Sequence, residues 1–379
     1  MNQPRVLIPT YPGDFHAVVV ALALADRGHE ALLWYGSDFP ALQVASIDIR
    51  GAKVQWEISG PELEARGPFD IVWMRRPTPP VFPSTLHPGD LPVAQREWQH
   101  FLGGLYHLAA PDAFWVNPLA SRFRADLKPV QLREAAHAGL TVPPTRMSND
   151  PAKIRAFLEE FRGRTVYKPF YPAQWNYDDG AAMLLTSDMT LDDLPEDEIL
   201  KLTPGIFQVK VKKAHELRVT ILGEHVITAR LLSQESETTR LDWRAAGPQV
   251  RMEPDRLPES VERACLRLMR SLDIVFGAFD FIVTPEGEHV FLEVNPAGQF
   301  LWVEESCPEL RLLAPFVDFL LARRPDFRWS ESSPNAIRYE SYRQAAIAKI
   351  DGTLARHTRP EEVFISSDEP SFKAPAENR

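Results

Sequence analysis

The chain has 379 residues, of which 44% are hydrophobic and 25% are charged. These proportions exclude a disordered or fibrous chain, and the length predicts two or three domains. The net charge of -10 disfavours a surface for nucleic acid. The sequence has no run of about 18 apolar residues, and its first residues lead directly into a predicted strand. We therefore expect neither a membrane span nor a signal peptide, and a cytoplasmic protein without a membrane partner.

Strands and helices alternate through the first part of the chain. The patterns predict strands at 5–9, 29–35 and 69–76 and helices at 16–27 and 92–110. This β-α-β order indicates an open α/β domain over residues 1–120. The turn TYPGDFH after the first strand has a single glycine, which disfavours a Rossmann dinucleotide site.

Two arginines close the last of these strands. Arg75 and Arg76 stand at its carboxyl end, which is the edge where open α/β sheets bind ligands. A solvated basic pair is the alternative. The two residues therefore indicate a candidate binding edge without naming a ligand.

Two lysines in the next section are candidates for binding phosphate. Lys128 begins a helix that precedes TVPPT, and Lys168 lies in the apolar strand VYKPF. A lysine buried on a strand needs an anion, which a nucleotide phosphate would supply. A lysine that reaches the surface at a strand edge is the alternative. The pattern GxxxxGK[ST] is absent, so a nucleotide would need a fold other than the P-loop one.

The segment IFQVKVKKAHELRV predicts an extended hinge followed by a strand. Gln208, Val209 and Lys210 would form the hinge, whose backbone amide and carbonyl groups are suited to an adenine edge. Glu216 and Arg218 alternate on one face of the following strand, and Glu216 is also a candidate base. An ion pair without a catalytic role is the alternative for Glu216.

Further arginines follow Arg218 along the chain. Arg230 lies on the next predicted strand and Arg244 lies in LDWRAA. A guanidinium group is planar and permanently charged, which suits a carboxylate or a γ-phosphate. If the three side chains converge, they would stabilise a transferring phosphoryl group. Charges on a surface strand are the alternative.

The segment FGAFDFIVTPEGEHVFLEVNPAGQF, residues 276–300, carries the strongest chemical signal. Two apolar runs flank the turn-like TPEG and predict a β-hairpin. Glu293 and Asn295 point to the same face of the second strand, and Asp280 can lie opposite them. Oxygen ligands of this kind suit Mg²⁺. A surface hairpin with incidental acids is the alternative.

The ordered set of motifs resembles the ATP-grasp ligase superfamily. The matching pieces are Lys128 before GLTVPPT, VYKPF with Lys168, IFQVKV, ELRV with Arg218, and FDFIV with FLEVNPAGQF. The resemblance covers roughly residues 5–325. It implies an α/β (α+β) fold with an N-terminal pre-ATP-grasp domain at 1–120, a central lid-like subdomain at 121–205 and a catalytic domain at 206–328. The polar, Pro- and Ser-rich composition of the remaining residues predicts a partly disordered tail at 329–379.

Within that superfamily the chain most resembles the graspetide maturases, which are microviridin-type peptide macrocyclases. The resemblance lies in WMRRP, NPLASRFRADLKPVQL, HELRVTILGEHVITARL, LDWR and NPAGQFLWVEE. It implies ester or amide crosslinks between Asp or Glu side chains and Ser, Thr or Lys of a ribosomal precursor peptide. The long tail after residue 330, and PAQWNYDDG in place of a glycine-rich lid, depart from the family pattern.

The resemblance also implies roles for the candidate residues. ATP and Mg²⁺ are the expected cofactors, with the metal held by Asp280, Glu293 and Asn295. The nucleotide would contact Lys128, Lys168, Gln208, Val209, Lys210 and Glu216. Arg218, Arg244 and Arg230 would act on the phosphoryl group and the substrate carboxylate. A precursor peptide is the expected partner, and a homodimer is common among similar enzymes. Two alternatives stay open: an amino-acid or small-molecule ligase, and a non-catalytic ATP-binding scaffold.

Overall fold

The computed structural model describes residues 3–170, 173–177, 180–184, 186–243, 250–330 and 337–359, with the backbone alone at 173–177 and 180–184. Four parallel strands form the first sheet, in the order β2-β1-β6-β7. Its strands and the two main helices beside them are β1 Val6–Thr10, α1 Phe15–Asp26, β2 Ala31–Tyr35, β6 Ile71–Trp73, α2 Leu91–Ala109 and β7 Phe114–Val116. Every residue of β1 is buried, as expected of a parallel strand covered on both faces.

The N-terminal region contains a second sheet that the sequence patterns did not predict. Three antiparallel strands follow β2: β3 Val44–Arg50, β4 Lys53–Gly60 and β5 Leu63–Arg66. Trp56 and Ile58 of β4 are buried against the N-terminal core, whereas the alternate residues of β4 are exposed. This half-buried sheet extends the α/β domain that the sequence predicted.

A small central sheet has the order β12-β9-β13-β8. Its elements are β8 Thr145–Ser148, α5 Pro151–Glu160, β9 Thr165–Lys168, β12 Ser187–Asp188, α6 Asp197–Leu200 and β13 Gly205–Val209. A backbone hairpin, β10 Ala173–Tyr177 with β11 Gly180–Leu184, lies in the region where the sequence departs from a glycine-rich lid. Because β13 pairs with β8 and β9, the segment 205–209 belongs to the central sheet and not to the catalytic domain predicted from residue 206.

The largest sheet is antiparallel and has the order β16-β15-β14-β17-β18. Its elements are β14 His215–Leu222, β15 His225–Leu231, β16 Met252–Asp255, α7 Glu259–Leu272, β17 Phe276–Val283 and β18 His289–Asn295. Two earlier helices, α3 Leu119–Asp126 and α4 Lys128–His137, share one apolar core with α7 on one face of this sheet. The chain from 119 to 137 therefore packs with the large sheet, although the sequence placed most of it, from residue 121, in the central subdomain.

The opposite face of the large sheet shares its core with the N-terminal sheet. One buried cluster joins β1, α1 and β6 to residues of β14, β15 and β17 and to two later helices, α8 Leu301–Ser306 and α9 Leu313–Ala322. A last helix, α10 Tyr339–Thr353, packs on α1, so part of the predicted polar tail is folded. Residues 360–379 lie outside the described part of the chain. No helix in the described ranges is long and apolar enough to span a bilayer.

Candidate functional site

Three charged side chains lie in a row across the large sheet. Arg218 of β14 is the register partner of Asp280 on β17, and Asp280 is the partner of Glu293 on β18. Directly paired residues of antiparallel strands point to the same face. A bulge follows Asp280, and beyond it Phe281 pairs with Phe291. The predicted hairpin and its same-face carboxylates are confirmed by this register.

Each carboxylate of the row contacts a cation. Nη1 of Arg218 lies 3.1 Å from both carboxylate oxygens of Asp280, and Nη2 donates to the carbonyl of Gln299 at 2.8 Å. Nζ of Lys128 donates to the Glu293 carboxylate. Arg218 is only 3% exposed, so its charge acts in a medium of low dielectric constant. The row and Lys128 together therefore place two positive and two negative side chains next to one another.

Asn295 completes the oxygen set at the end of β18. Its register partner is Ala278, two residues before Asp280 on the same face. Its amide oxygen accepts the backbone N–H of Ala297 at 2.9 Å and keeps a second lone pair. Within the described ranges no three His, Cys, Asp or Glu side chains cluster closely enough to hold a metal ion. The candidate set of two carboxylates and one amide oxygen nevertheless fits Mg²⁺, which takes few protein ligands beside phosphate and water.

A second polar chain lies in the central sheet. Nζ of Lys168 donates to the side-chain oxygen of Gln208 at 2.8 Å, and the amide nitrogen of Gln208 donates to the Thr145 hydroxyl at 2.9 Å. The structure thus brings together two of the predicted nucleotide-binding residues. Gln208 is buried, which fixes the position at which Lys168 presents its charge.

Two backbone N–H groups of the predicted adenine hinge donate hydrogen bonds within the protein. The N–H of Val209 donates to the carbonyl of Pro144 at 2.9 Å, and that of Lys210 donates to the carbonyl of Arg164 at 2.7 Å. The Lys210 side chain contacts both carboxylate oxygens of Asp188, at 2.6 and 2.8 Å. These two amides are therefore not available to a base edge in this conformation.

Glu216 shares its sheet face with Arg218, as predicted. Its carboxylate accepts a hydrogen bond from Nζ of Lys213 at 2.9 Å, and the same ammonium group donates to the carbonyl of Leu241 at 2.8 Å. Glu216 is 6% exposed. Lys213 therefore ties the strand to the segment that leads towards Arg244, which lies outside the described residues.

Arg230 is not brought together with Arg218. Its register partner on β14 is Leu217, so its side chain leaves the opposite face of the sheet. There Nε of Arg230 donates to the Asp255 carboxylate at 2.8 Å. Burial would raise the pKa of Asp255, but the hydrogen bonds from Arg230 and from the N–H of Arg256, together with the nearby positive charge, outweigh burial and lower that pKa. The side-chain alternation that joins Glu216 to Arg218 separates Arg230 from both.

Two tryptophans complete the surroundings of Arg218. The ring of Trp302 lies with its centroid 5.7 Å from the guanidinium carbon, a cation–π distance. Trp243 stacks on Trp302 at 4.9 Å between ring centroids and 19° between planes. The sequence reasoning assigned no role to either ring. Their only signal was their place in the runs LDWR and NPAGQFLWVEE.

Solved structures similar to this one include peptide-modifying ATP-grasp enzymes. The RiPP-associated ATP-grasp ligase of Chryseobacterium gregarium, solved with ADP and a leader and core peptide, is 27% identical, with a TM-score of 0.78 over 86% of this chain and 100% of its own. Macrocyclase MdnC of Microcystis aeruginosa MRC, bound with precursor peptide MdnA, is 28% identical, with a TM-score of 0.74 over 84% and 99%.

Macrocyclase MdnB of the same organism is 32% identical, with a TM-score of 0.71 over 84% of this chain and 99% of its own. No protein-family model matches the sequence, and no curated protein matches it either. The similarity therefore rests on solved structures, and it extends over nearly the whole length of each of them.

Proposed function

Since the chain belongs to the graspetide-type ATP-grasp ligases, we propose that it activates Asp or Glu side chains of a ribosomal precursor peptide as acyl phosphates and closes them into intramolecular ester or amide crosslinks. The observation that carries this proposal is the row of Arg218, Asp280 and Glu293 across one sheet face. An anion-binding guanidinium group there adjoins two candidate metal ligands. The ADP and peptides found with similar enzymes support an ADP-forming reaction on a peptide.

Mg²⁺ and ATP would bind between the central and the large sheets. Asp280, Glu293 and Asn295 would hold the metal, which neutralises phosphate charge when it is bound. Lys128 and Lys168 would hold the phosphates. The pairs of Lys128 with Glu293 and of Arg218 with Asp280 are the contacts that such a ligand replaces.

The hinge formed by Gln208, Val209 and Lys210 would contact the adenine base. Because the N–H groups of Val209 and Lys210 are already bonded within the protein, the contact would use the carbonyl groups of the hinge. Glu216 would also belong to the nucleotide-binding residues, since it lies two residues from Arg218 on the same face of the sheet.

Arg218 would act on the substrate carboxylate as it becomes an acyl phosphate. Besides Asp280, the Gln299 carbonyl and the Trp302 ring hold its guanidinium group, and these two contacts would remain when Asp280 binds the metal. A fixed cation stabilises charge that develops in the transition state without reorganising. Arg244 is proposed to orient the substrate carboxylate. Arg230, on the far face, takes no part in this proposal.

We propose that the leader part of the precursor docks on the strands near 205–232 and the neighbouring helix, away from the reacting groups. A homodimer in the cytoplasm, with no nucleic-acid or membrane partner, stays a prediction from the sequence. The tail helix α10 does not alter the proposed chemistry, because it packs on α1.

The direct test is mass spectrometry of candidate precursor peptides incubated with the protein, ATP and Mg²⁺. Loss of one water per crosslink, with release of ADP and phosphate, is the expected result. Glu293→Ala should abolish both. A mass gain by one amino acid would show an amino-acid ligase instead. Tight binding of ATP without a mass change in any precursor would contradict the macrocyclase proposal and favour a scaffold.

A further inference from the structure

The loop after β18, residues 296–300, is the place where the N-terminal domain contacts the candidate site. On its site side, the N–H of Ala297 is held by the Asn295 side chain and the carbonyl of Gln299 by Arg218. On its other side, the carbonyl of Ala297 accepts a hydrogen bond from Nη1 of Arg75. One short backbone segment therefore links a metal-ligand candidate and the catalytic arginine to a residue of another domain.

The loop has little room to adopt another path. A Cβ atom at Gly298 would lie 2.6 Å from the Cβ of Ala278 and 3.2 Å from Nη2 of Arg218. Two more N-terminal side chains hold its ends: Asn117 donates to the carbonyl of Pro296 at 2.8 Å, and the N–H of Leu301 donates to Nε2 of His16 at 3.1 Å. Of these three N-terminal side chains, Arg75 is the one that contacts the carbonyl of Ala297, in the middle of the loop.

Arg75 is held in turn by a buried carboxylate. Nε of Arg75 lies 3.3 Å from Oδ2 of Asp14, and neither side chain is more than 1% exposed. Asp14 also accepts from the Thr10 hydroxyl at 2.6 Å and caps α1 through the N–H of Ala17 at 3.3 Å. Burial would raise the pKa of Asp14, but Arg75 and its other neighbours outweigh burial and lower it. Asp14 therefore stays ionised at neutral pH and keeps Arg75 oriented.

The contacts of Arg75 are not those expected of a side chain whose role is only to stabilise the fold. Within the described residues, its buried Nη2 atom finds no hydrogen-bond acceptor. A buried ion pair is weak evidence of stabilisation, and a buried donor without an acceptor costs free energy. The carbonyl that Arg75 holds accounts for its position better, because that carbonyl belongs to the loop that carries the site.

We propose that Arg75 is a positioning residue for the reaction centre, which acts through the carbonyl of Ala297 to fix the loop that presents Gln299 to Arg218 and aligns Asn295. This proposal depends on the proposed function only for the reaction that the site carries out. It assigns a task to the arginine at the carboxyl end of β6, an edge where open α/β sheets bind ligands. A misplacement of about 1 Å in a catalytic centre can lower the rate about 100-fold.

The test compares Arg75→Met with Arg27→Met. Arg27 is a matched control, since it forms an ion pair with Asp318 and its side chain is 15% exposed, away from the loop. Arg75→Met should lower kcat about 100-fold with the KM for ATP nearly unchanged. It should also raise the Mg²⁺ concentration needed for half-maximal binding of a non-hydrolysable ATP analogue. Arg27→Met should lower Tm without either effect.

Two further measurements separate the proposal from protein instability and from the proposed function. Arg75→Lys and Asp14→Asn are milder variants, and each should give an intermediate effect on kcat and on the Mg²⁺ requirement. Hydrogen exchange at the amides of residues 297–301, measured without peptide, should speed up in Arg75→Met and not in Arg27→Met. The proposal is overturned if both variants behave alike at an equal loss of Tm. If the wild-type protein modifies no peptide, the proposed function is contradicted. The hydrogen-exchange and analogue-binding measurements need no peptide, so they still test the role of Arg75.

Discussion

The contact between Arg218 and Asp280 can be tested by its effect on stability. Only 2% of the Arg218 side chain and 17% of the Asp280 side chain are exposed, and the closest oxygen lies 3.1 Å from the guanidinium nitrogen. Removing one partner of a buried ion pair costs about 3–5 kcal/mol, because the other charge keeps its cost of desolvation. We expect Arg218→Met to lower the free energy of unfolding by that amount. Arg218→Lys should lose about 1.5–3 kcal/mol, since a single ammonium group cannot reach both Asp280 and Gln299.

A double-mutant cycle separates this contact from the rest of the site. If the ion pair carries the loss, Arg218→Met combined with Asp280→Asn should cost about 1–3 kcal/mol less than the sum of the two single variants. Urea unfolding without nucleotide, followed by tryptophan fluorescence, measures each corner of the cycle. Additive losses, within about 0.5 kcal/mol, would refute the reasoning. In the same set, Arg218→Lys should reduce ADP formation at least about 100-fold even where it remains folded.

Glu293→Gln should weaken Mg²⁺-dependent ATP binding, measured by calorimetry, while Glu286→Gln in the exposed turn should not; equal effects would contradict the metal assignment. Gly298→Ala should destabilise the protein by about 1–3 kcal/mol because its new Cβ overlaps its neighbours. Gly104→Ala, where a Cβ meets open space within a helix, should stabilise it by about 0.5–1 kcal/mol in the same urea assay. Burial, followed by Arg75, holds the pKa of His16 well below 6.5. The unfolded chain therefore takes up the proton first, so stability should fall as pH drops below about 6.5, by at most about 1.4 kcal/mol per unit, and His16→Gln should flatten that slope.

The sequence predicted the site best where it lies on one regular hairpin. Asp280, Glu293 and Asn295 share a face because side chains alternate along strands, and the turn TPEG sets the pairing. The same alternation placed Glu216 beside Arg218. It could not place Arg230, because the face of β15 depends on the register with β14, and that register is not visible in the spacing of the residues.

Long-range pairing also explains the differences in domain organisation. The strand with Gln208 and Val209 is short, and its assignment to the central sheet follows from ladders with β8 and β9, more than 30 residues away in sequence. The sheet formed by β3, β4 and β5 was missed because its exposed edge strand lacks a clear apolar run. The sequence indicates that Arg75 stands at a candidate binding edge. Its contact with Ala297 joins residues 222 positions apart, and no local sequence pattern reveals such a contact.

The charge pairs of the candidate site predict that metal and nucleotide would bind there together. The carboxylates of Asp280 and Glu293 are each in contact with a cation, Arg218 and Lys128 respectively. Phosphate alone would draw both cations away and leave two adjacent carboxylates facing negative charge, whereas metal alone would leave the cations facing positive charge. Metal and phosphate together provide each group with an opposite charge. In the proposed site, these four side chains would thus favour Mg²⁺ and ATP in combination over either alone.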